Sequence, residues 1–180
     1  PVSVALGAEA TFVARALDSD RKGLSEVLRA AAAHRGAALV EIMQDCPIFN
    51  DGSFDVLRKE GAEERLINVR HGEPIVFGAD GEFCVVQTGF GLDVAKTADV
   101  SADQIVIHDA HSDSPAYAFA LSRLSDQNLE HTVMGVFRQV ARPVYDDEAR
   151  EQIAAAQERA PHDQAALQSL LRGRDTWTIA

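Results

Sequence analysis

Two cysteines, Cys46 and Cys84, are the residues of this sequence best able to ligate a metal or attack a substrate. Cys46 lies in an Asp-Cys-Pro segment, where the proline removes a backbone donor and stiffens the turn. Cysteine followed by proline recurs at iron–sulfur ligands, and a thiolate can also act as a nucleophile. Cys84 lies inside the apolar run Phe-Cys-Val-Val, where a thiol behaves as a small hydrophobic side chain. Cys46 is therefore the residue we expect to carry chemistry.

The other groups that could bind a metal are weaker candidates. A disulfide between the two cysteines is not expected in the cytosol. Two thiols also cannot complete the four-ligand shell of structural zinc or of an iron–sulfur cluster.

His108 and His111 lie three residues apart with Asp109 between them, but zinc sites need further ligands and other spacings. We therefore expect this pair to fix a loop or to face a partner.

Familiar catalytic motifs are absent from the sequence. The Gly89-Phe-Gly91 segment lacks the third glycine of a dinucleotide fingerprint. No Walker sequence, no Gly-x-Ser-x-Gly elbow and no Ser/His/Asp set stands out. The chain alone thus contains no complete catalytic apparatus, and no catalytic residue is assigned.

Composition limits the classes of function. The chain has 180 residues, of which 46% are hydrophobic and 25% charged, and its formal net charge is −11. An acidic balance argues against nucleic-acid binding, which needs clustered Lys and Arg. No run reaches the roughly 18 apolar residues of a membrane span, and no secretory signal is recognisable. These features favour a cytoplasmic protein. The apolar start at Pro1 suggests a chain that begins inside a domain.

The elements that would position Cys46 form a βαβ unit. Residues 11–17 and 37–43 are apolar and read as buried strands, and residues 21–35 read as a helix capped by Asp18 or Asp20. Such a crossover joins parallel strands in a right-handed sense. Cys46 follows the second strand, and active groups of parallel sheets gather at the carboxyl ends of strands.

Shorter elements are predicted downstream. They are a helix over 53–64, a hairpin of 74–77 and 83–87 around an Asp-Gly turn, a strand at 105–107, a helix over 115–124 capped by Ser114, a strand over 132–140, and a helix over 146–159 stopped by Pro161.

The sequence resembles the β subunit of 2-oxoacid:ferredoxin oxidoreductases, of the 2-oxoglutarate type. The run from Ala5 to Asp51 carries the resemblance, and Cys-Pro-Ile-Phe-Asn-Asp at 46–51 is its most specific segment. The resemblance continues through His108-Asp109, Pro115-Ala-Tyr-Ala-Phe-Ala-Leu-Ser-Arg-Leu124, Met134-Gly-Val-Phe-Arg138 and Arg142-Pro143. It implies the carboxy-terminal half of the subunit. Residues 1–52 would end the thiamine-diphosphate-binding parallel-sheet domain, and residues 53–180 would be an α+β extension that makes subunit contacts.

The resemblance also implies cofactors and partners. In that family the β subunit binds thiamine diphosphate with Mg²⁺ and one 4Fe–4S cluster, and a heterotetramer forms with the α subunit. The Gly-Asp-Gly motif and three cluster cysteines lie upstream of a segment like this one, and Cys46 matches the fourth cysteine. The implied reaction is oxidative decarboxylation of a 2-oxoacid to an acyl-CoA, with electrons passed to ferredoxin. The upstream half of the β subunit would be a further partner, and the fragment alone would be inactive.

Two other functions remain open from the residues. The chain could be a non-catalytic α/β module that docks subunits, or an enzyme with Cys46 as nucleophile and His71 or His108 as its base. Iron content of the full-length protein separates the cluster ligand from the nucleophile.

Overall fold

The structure, a computed structural model, describes residues 1–125, 128–159, 163–174, 177 and 179. They fall into two compact units, Pro1–Arg142 and Pro143–Ala180. The helices are α1 (Val2–Gly7), α2 (Arg21–Ala33), α3 (Pro115–Ser122), α4 (Tyr145–Arg159) and α5 (Gln164–Arg172). The strands are β1 (Phe12–Leu17), β2 (Ala38–Met43), β3 (Leu66–Val69), β4 (Val76–Phe77), β5 (Phe83–Thr88), β6 (Gly91–Lys96) and β7 (Thr132–Gln139).

The main sheet of the first unit has four strands in the order β2-β1-β7-β3. Strands β1 and β2 are parallel, β3 and β7 are parallel, and β1 meets β7 antiparallel. Five of the six residues of β1 are buried because the strand lies inside the sheet and packs on both faces. The predicted α/β class is thereby confirmed, with a sheet that joins two parallel pairs through an antiparallel contact.

The βαβ unit is present as predicted. Helix α2 connects β1 to β2, and its cap is Asp20, whose side chain accepts a hydrogen bond from Gly23 N. Val27 of this helix is buried against Phe12 and the neighbouring alanines of β1. Strand β2 differs from the prediction, since it is half-exposed and Ile42 is 43% exposed. The reason is its position at the sheet edge, where one side has no neighbour.

A second sheet of three antiparallel strands has the order β4-β5-β6. The predicted hairpin is β4 and β5, and β6 extends it through the Gly89-Phe90 turn. The predicted strand at 105–107 is wrong as a regular strand, because this segment makes only isolated bridges, from Ile105 to Val86 and from Ile107 to Pro74. The helix predicted over 53–64 is also wrong. Its place is taken by two 3-10 turns, Asp55–Leu57 and Ala62–Glu64, with Gly61 between them at φ 86°.

The two later predictions for the first unit are confirmed. Helix α3 begins at Pro115, and the Ser114 hydroxyl accepts from Ala116 N. Strand β7 occupies the predicted range 132–140 almost completely.

The second unit contains α4 and α5. Helix α4 carries the acidic residues Asp146, Asp147 and Glu148 in its first turn and Arg159 in its last turn, a charge order that suits the helix dipole. Helix α5 is capped by Asp163, whose carboxylate accepts from Ala166 N. Pro161, predicted to stop α4, lies outside the described residues, as does His162. In the ranges that the structure describes, no helix is long and apolar enough to cross a membrane.

The predicted boundary after residue 52 does not coincide with a break in the sheet. Strands β3 and β7 come from the second predicted range and pair in the same sheet as β1 and β2 from the first. The assignment of 1–52 to a thiamine-diphosphate domain and of 53–180 to an extension stays a prediction.

Candidate functional site

The Cys46 loop, residues 44–52, leaves the carboxyl end of β2 beside the carboxyl end of β1. Asp18 N, directly after β1, donates to Met43 O at 3.1 Å and joins the two strand ends. The loop then closes on itself, since Asn50 N donates to Cys46 O at 2.9 Å. Gly52 has φ 76°, in the left-handed region that glycine tolerates best. Cys46 thus lies in the loop that the sequence predicts, at the end of a parallel strand pair.

The side chain of Cys46 is half-buried, and the residues after it are apolar and exposed. Ile48 is 82% exposed and Phe49 is 89% exposed. Within the described part of the chain, the thiol takes part in no hydrogen bond or ion pair. A thiol in this setting is accessible to a ligand or partner on one side, unlike a thiol enclosed in a core.

An arginine connects the Cys46 loop to the neighbouring strand. Arg58 Nη2 donates to Asp18 Oδ1 at 2.6 Å, and Arg58 Nη1 lies 3.8 Å from Asp45 Oδ2. Gly52 N also donates to Asp45 Oδ2, at 3.2 Å. The second carboxylate oxygen of Asp45 is buried and has no hydrogen-bond partner among the described residues. Arg58 therefore stands between two carboxylates that flank the ends of β1 and β2.

Cys84 is placed as the sequence predicts for a structural residue. It lies in β5, is 0% exposed, and pairs with Val76 and Ala95 across the small sheet. No group of three or more His, Cys, Asp or Glu in the described ranges could hold a metal ion. The described residues therefore do not form a complete cluster site, and of the two cysteines only Cys46 is partly exposed.

The histidine pair at 108 and 111 holds its loop through hydrogen bonds, one of the two roles that the sequence predicts. His108 is 1% exposed, and its Nε2 donates to Val136 O at 2.8 Å. Its Nδ1 then accepts from the Tyr117 hydroxyl at 2.9 Å. Burial lowers the pKa of His108, partly offset by the bond to Val136 O. Burial also raises the pKa of Tyr117 to about 12, so the hydroxyl stays protonated and can donate.

A second feature, not predicted from the sequence, is a cavity of about 750 Å³ between α2 and the face of β1, β7 and β3. Its lining combines apolar residues of the strands and α2 with polar ones, among them Lys22, Glu26, Arg70, His71 and His111. The His71 and His111 rings meet edge to face with centroids 4.2 Å apart. Cys46 does not line this cavity. These five residues come from three separate stretches of the sequence, and the fold brings the three stretches together.

The positions of the two histidines bear on the nucleophile hypothesis. His108 is enclosed, with both ring nitrogens engaged, and His71 faces the cavity that Cys46 does not line. No hydrogen bond in the described residues joins Cys46 to either ring. The geometry therefore gives no support to a cysteine–histidine pair.

Comparison with known sequences finds close relatives over part of their length. The 2-oxoglutarate oxidoreductase subunit KorB of Mycobacterium tuberculosis is 77% identical over 179 residues, which is 99% of this chain and 48% of that protein. The chain therefore spans about half the length of this relative. A 2-oxoacid:ferredoxin oxidoreductase β subunit of a Sulfolobus species is 41% identical over 66 residues, 37% of this chain and 20% of its own. No model of a known protein family matches.

The fold also has a counterpart among solved structures. A chain of the 2-oxoglutarate:ferredoxin oxidoreductase from Magnetococcus marinus, solved with 2-oxoglutarate, coenzyme A and succinyl-CoA bound, aligns with a TM-score of 0.60. The alignment covers 96% of this chain and 44% of that one, at 18% sequence identity, so it shows the fold alone. The sequence match confirms the resemblance: almost the whole chain is similar to about half of a 2-oxoglutarate oxidoreductase β subunit, consistent with the carboxy-terminal half.

Proposed function

We propose that this chain is the carboxy-terminal part of a β subunit that acts with an α subunit in the oxidative decarboxylation of 2-oxoglutarate. The products would be succinyl-CoA and carbon dioxide, with ferredoxin as the electron acceptor. The observation that carries the proposal is the 77% identity to a 2-oxoglutarate oxidoreductase subunit along 99% of the chain. The archaeal relatives named for 2-oxoacid and ferredoxin support the same reaction class.

The contribution of this chain is the Cys46 thiolate, as one ligand of a 4Fe–4S cluster. Its half-buried position after a strand end suits a ligand that must meet sulfurs from another segment. The other ligands, and the residues that hold thiamine diphosphate and Mg²⁺, would come from the rest of the subunit. When bound, thiamine diphosphate supplies the decarboxylation chemistry and the cluster carries single electrons.

A subunit-docking module is the second candidate, and a specific observation favours it. Ile48 and Phe49 are exposed beside an edge strand, an arrangement typical of surfaces that pack against another polypeptide. The two functions are compatible, since a segment that supplies one cluster ligand must also dock on the segment that supplies the others. A cytoplasmic location and the inactivity of the fragment alone stay predictions.

The experiment uses the complete β subunit with its α subunit and compares Cys46→Ser with Cys84→Ser. We expect Cys46→Ser to deplete iron and abolish ferredoxin reduction by 2-oxoglutarate and coenzyme A. Carbon dioxide release should continue, with wild-type thiamine diphosphate content, since decarboxylation does not require the cluster. Cys84→Ser should keep its iron and lose only stability, because its hydroxyl would be buried without a ligand role. Equal iron content in the two variants would contradict the assignment of Cys46.

A further inference from the structure

We propose that Arg58 is the positioning residue of the Cys46 loop, holding it in a fixed orientation and balancing the charge of two carboxylates beside it. The link to the iron–sulfur cluster rests on the proposed function. The contacts themselves belong to this chain and connect three separate segments, after β1, after β2 and after the 3-10 turn Asp55–Leu57.

Arg58 can hold the loop because it is itself anchored. The preceding residue, Leu57, is 2% exposed and packs with Leu17 and Met134 at the ends of β1 and β7. Phe54 and Met43 add partly buried contacts to the same cluster. The backbone that carries Arg58 is thus tied to the sheet, and its guanidinium cannot follow a loop that moves away.

Arg58, Asp18, Asp45 and Gly52 N form a network in which each contact restrains the loop at a different point. The guanidinium holds Asp18 at 2.6 Å and reaches Asp45, the residue directly before Cys46, at 3.8 Å. Asp45 in turn accepts from Gly52 N at the far end of the loop. The side chains of Asp45, Arg58 and Asp18 are 15%, 24% and 30% exposed, so solvent screens the charges only in part. Asp45 therefore connects both ends of the loop to Arg58.

The planar guanidinium of arginine can contact two carboxylates at once, which suits a residue that holds the loop in place. Its two terminal nitrogens face two different carboxylates, whereas a lysine ammonium is a single point charge. Without the guanidinium, Asp18 and Asp45 would face one another with no compensating cation in the network. A cluster ligated by Cys46 would then lie in a more negative environment, which makes the uptake of an electron less favourable.

The experiment compares Arg58→Gln with Lys59→Gln in the complete β subunit. Lys59 is a matched control, because it is the next residue and its removal deletes the same charge, yet its ion pair with Asp55 lies outside the network. In Arg58→Gln we expect iron to be lost to a chelator about 10-fold faster, the loss that follows when a group orienting a metal ligand is removed. The cluster midpoint potential should become more negative, and the Asn50 and Gly52 amides should exchange faster by mass spectrometry.

Asp45→Asn separates positioning from general destabilisation. Asparagine keeps an oxygen that can accept from Gly52 N but removes one negative charge, so the midpoint potential should move in the positive direction. A purely structural effect gives no such opposite shifts. Arg58→Lys should restore most of the potential and only part of the amide protection.

The experiment distinguishes a failure of the proposed function from a failure of the positioning role of Arg58. A wild-type subunit without iron would contradict the proposed function, and the exchange of the Asn50 and Gly52 amides would then decide alone whether Arg58 holds the loop. If wild type holds its cluster, and Arg58→Gln matches Lys59→Gln in iron retention, potential and exchange, the positioning role of Arg58 is wrong.

Discussion

His108 is a buried imidazole whose two ring nitrogens both form hydrogen bonds within the fold. Nε2 donates to Val136 O and Nδ1 accepts from Tyr117, so the ring is neutral as it stands. Burial disfavours the charged ring and so lowers the pKa of His108. The protonation of His108 should therefore make the free energy of unfolding depend on pH.

We expect the His108 contribution to the free energy of unfolding to be fully present above the unfolded pKa of about 6.5. As pH falls below that value, the unfolded chain binds a proton that the folded chain does not, so stability falls until the lowered folded pKa is passed. Urea titrations between pH 5 and 8 measure the slope, which for one group is at most about 1.4 kcal/mol per pH unit.

Two variants test the source of this slope. His108→Gln removes the titrating group, so the contribution of this residue to the slope should vanish. Tyr117→Phe should lower stability at every pH by about 1 kcal/mol, the net value of one hydrogen bond, and retain the slope because His108 remains buried. An unchanged slope in His108→Gln would show that another group is responsible.

At the scale of elements, β7 is the strand that joins the β1–β2 pair to β3 in the main sheet. It pairs with β1 on one side and β3 on the other, and its register with β1 shifts between Val13 and Ala14. Gly135 pairs with Arg15, just beyond this irregularity; it has φ 113°, and a Cβ there would stand 2.6 Å from Val69 O of β3. Glycine therefore allows this left-handed backbone conformation in close contact with β3.

Gly135→Ala should lower the free energy of unfolding by about 1–3 kcal/mol, the range expected for a residue forced into a rarely populated backbone conformation. The clash with Val69 O adds to the strain, since backbone atoms cannot move aside cheaply. Chemical denaturation measures the loss. Gly7→Ala is the control, because its Cβ would meet nothing within 4 Å and it lies in α1, so it should be neutral or stabilising. Equal stability of the two variants would contradict this account.

At the scale of the whole molecule, large apolar side chains are exposed in both units, as is typical of surfaces that another polypeptide covers. In the first unit, the edge strand β2 and the residues Ile48 and Phe49 are open to solvent. In the second unit, Leu167, Leu170 and Leu171 of α5 form an apolar stripe with 54%, 80% and 72% exposure. Exposed apolar area costs about 25 cal/mol per Å², so burial against other polypeptide is favourable.

We therefore expect the 180-residue chain, produced alone, to self-associate or to bind a hydrophobic dye. Sedimentation velocity and dye fluorescence measure both properties, and the complete subunit should show much less of each. The variant with Ile48→Ser and Phe49→Ser should bind less dye than the unmodified chain. A monodisperse monomer without dye binding would contradict the expectation that these surfaces are covered.

The sequence by itself determined the local elements and the place of Cys46. The βαβ unit, the Asp20 and Ser114 caps and the hairpin were predictable, because hydrophobic period, capping residues and turn residues act over a few positions. The two errors arose because local patterns show neither the backbone conformation of one glycine nor the position of a strand in its sheet. Helix 53–64 was wrong because Gly61 takes a left-handed conformation between two short turns, and β2 was predicted as buried although it is an edge strand.

Only the tertiary structure decided which distant residues meet. The pairing of β1 with β7, the enclosure of His108 by Tyr117 and Val136, and the approach of Arg58 to Asp18 and Asp45 all join segments separated by other elements. Pairing between distant segments depends on burial and register across the whole sheet, and these leave no periodic signal in the chain. Cys46 was therefore recognisable from its neighbours in sequence, whereas the arginine that holds its loop was visible only in the fold.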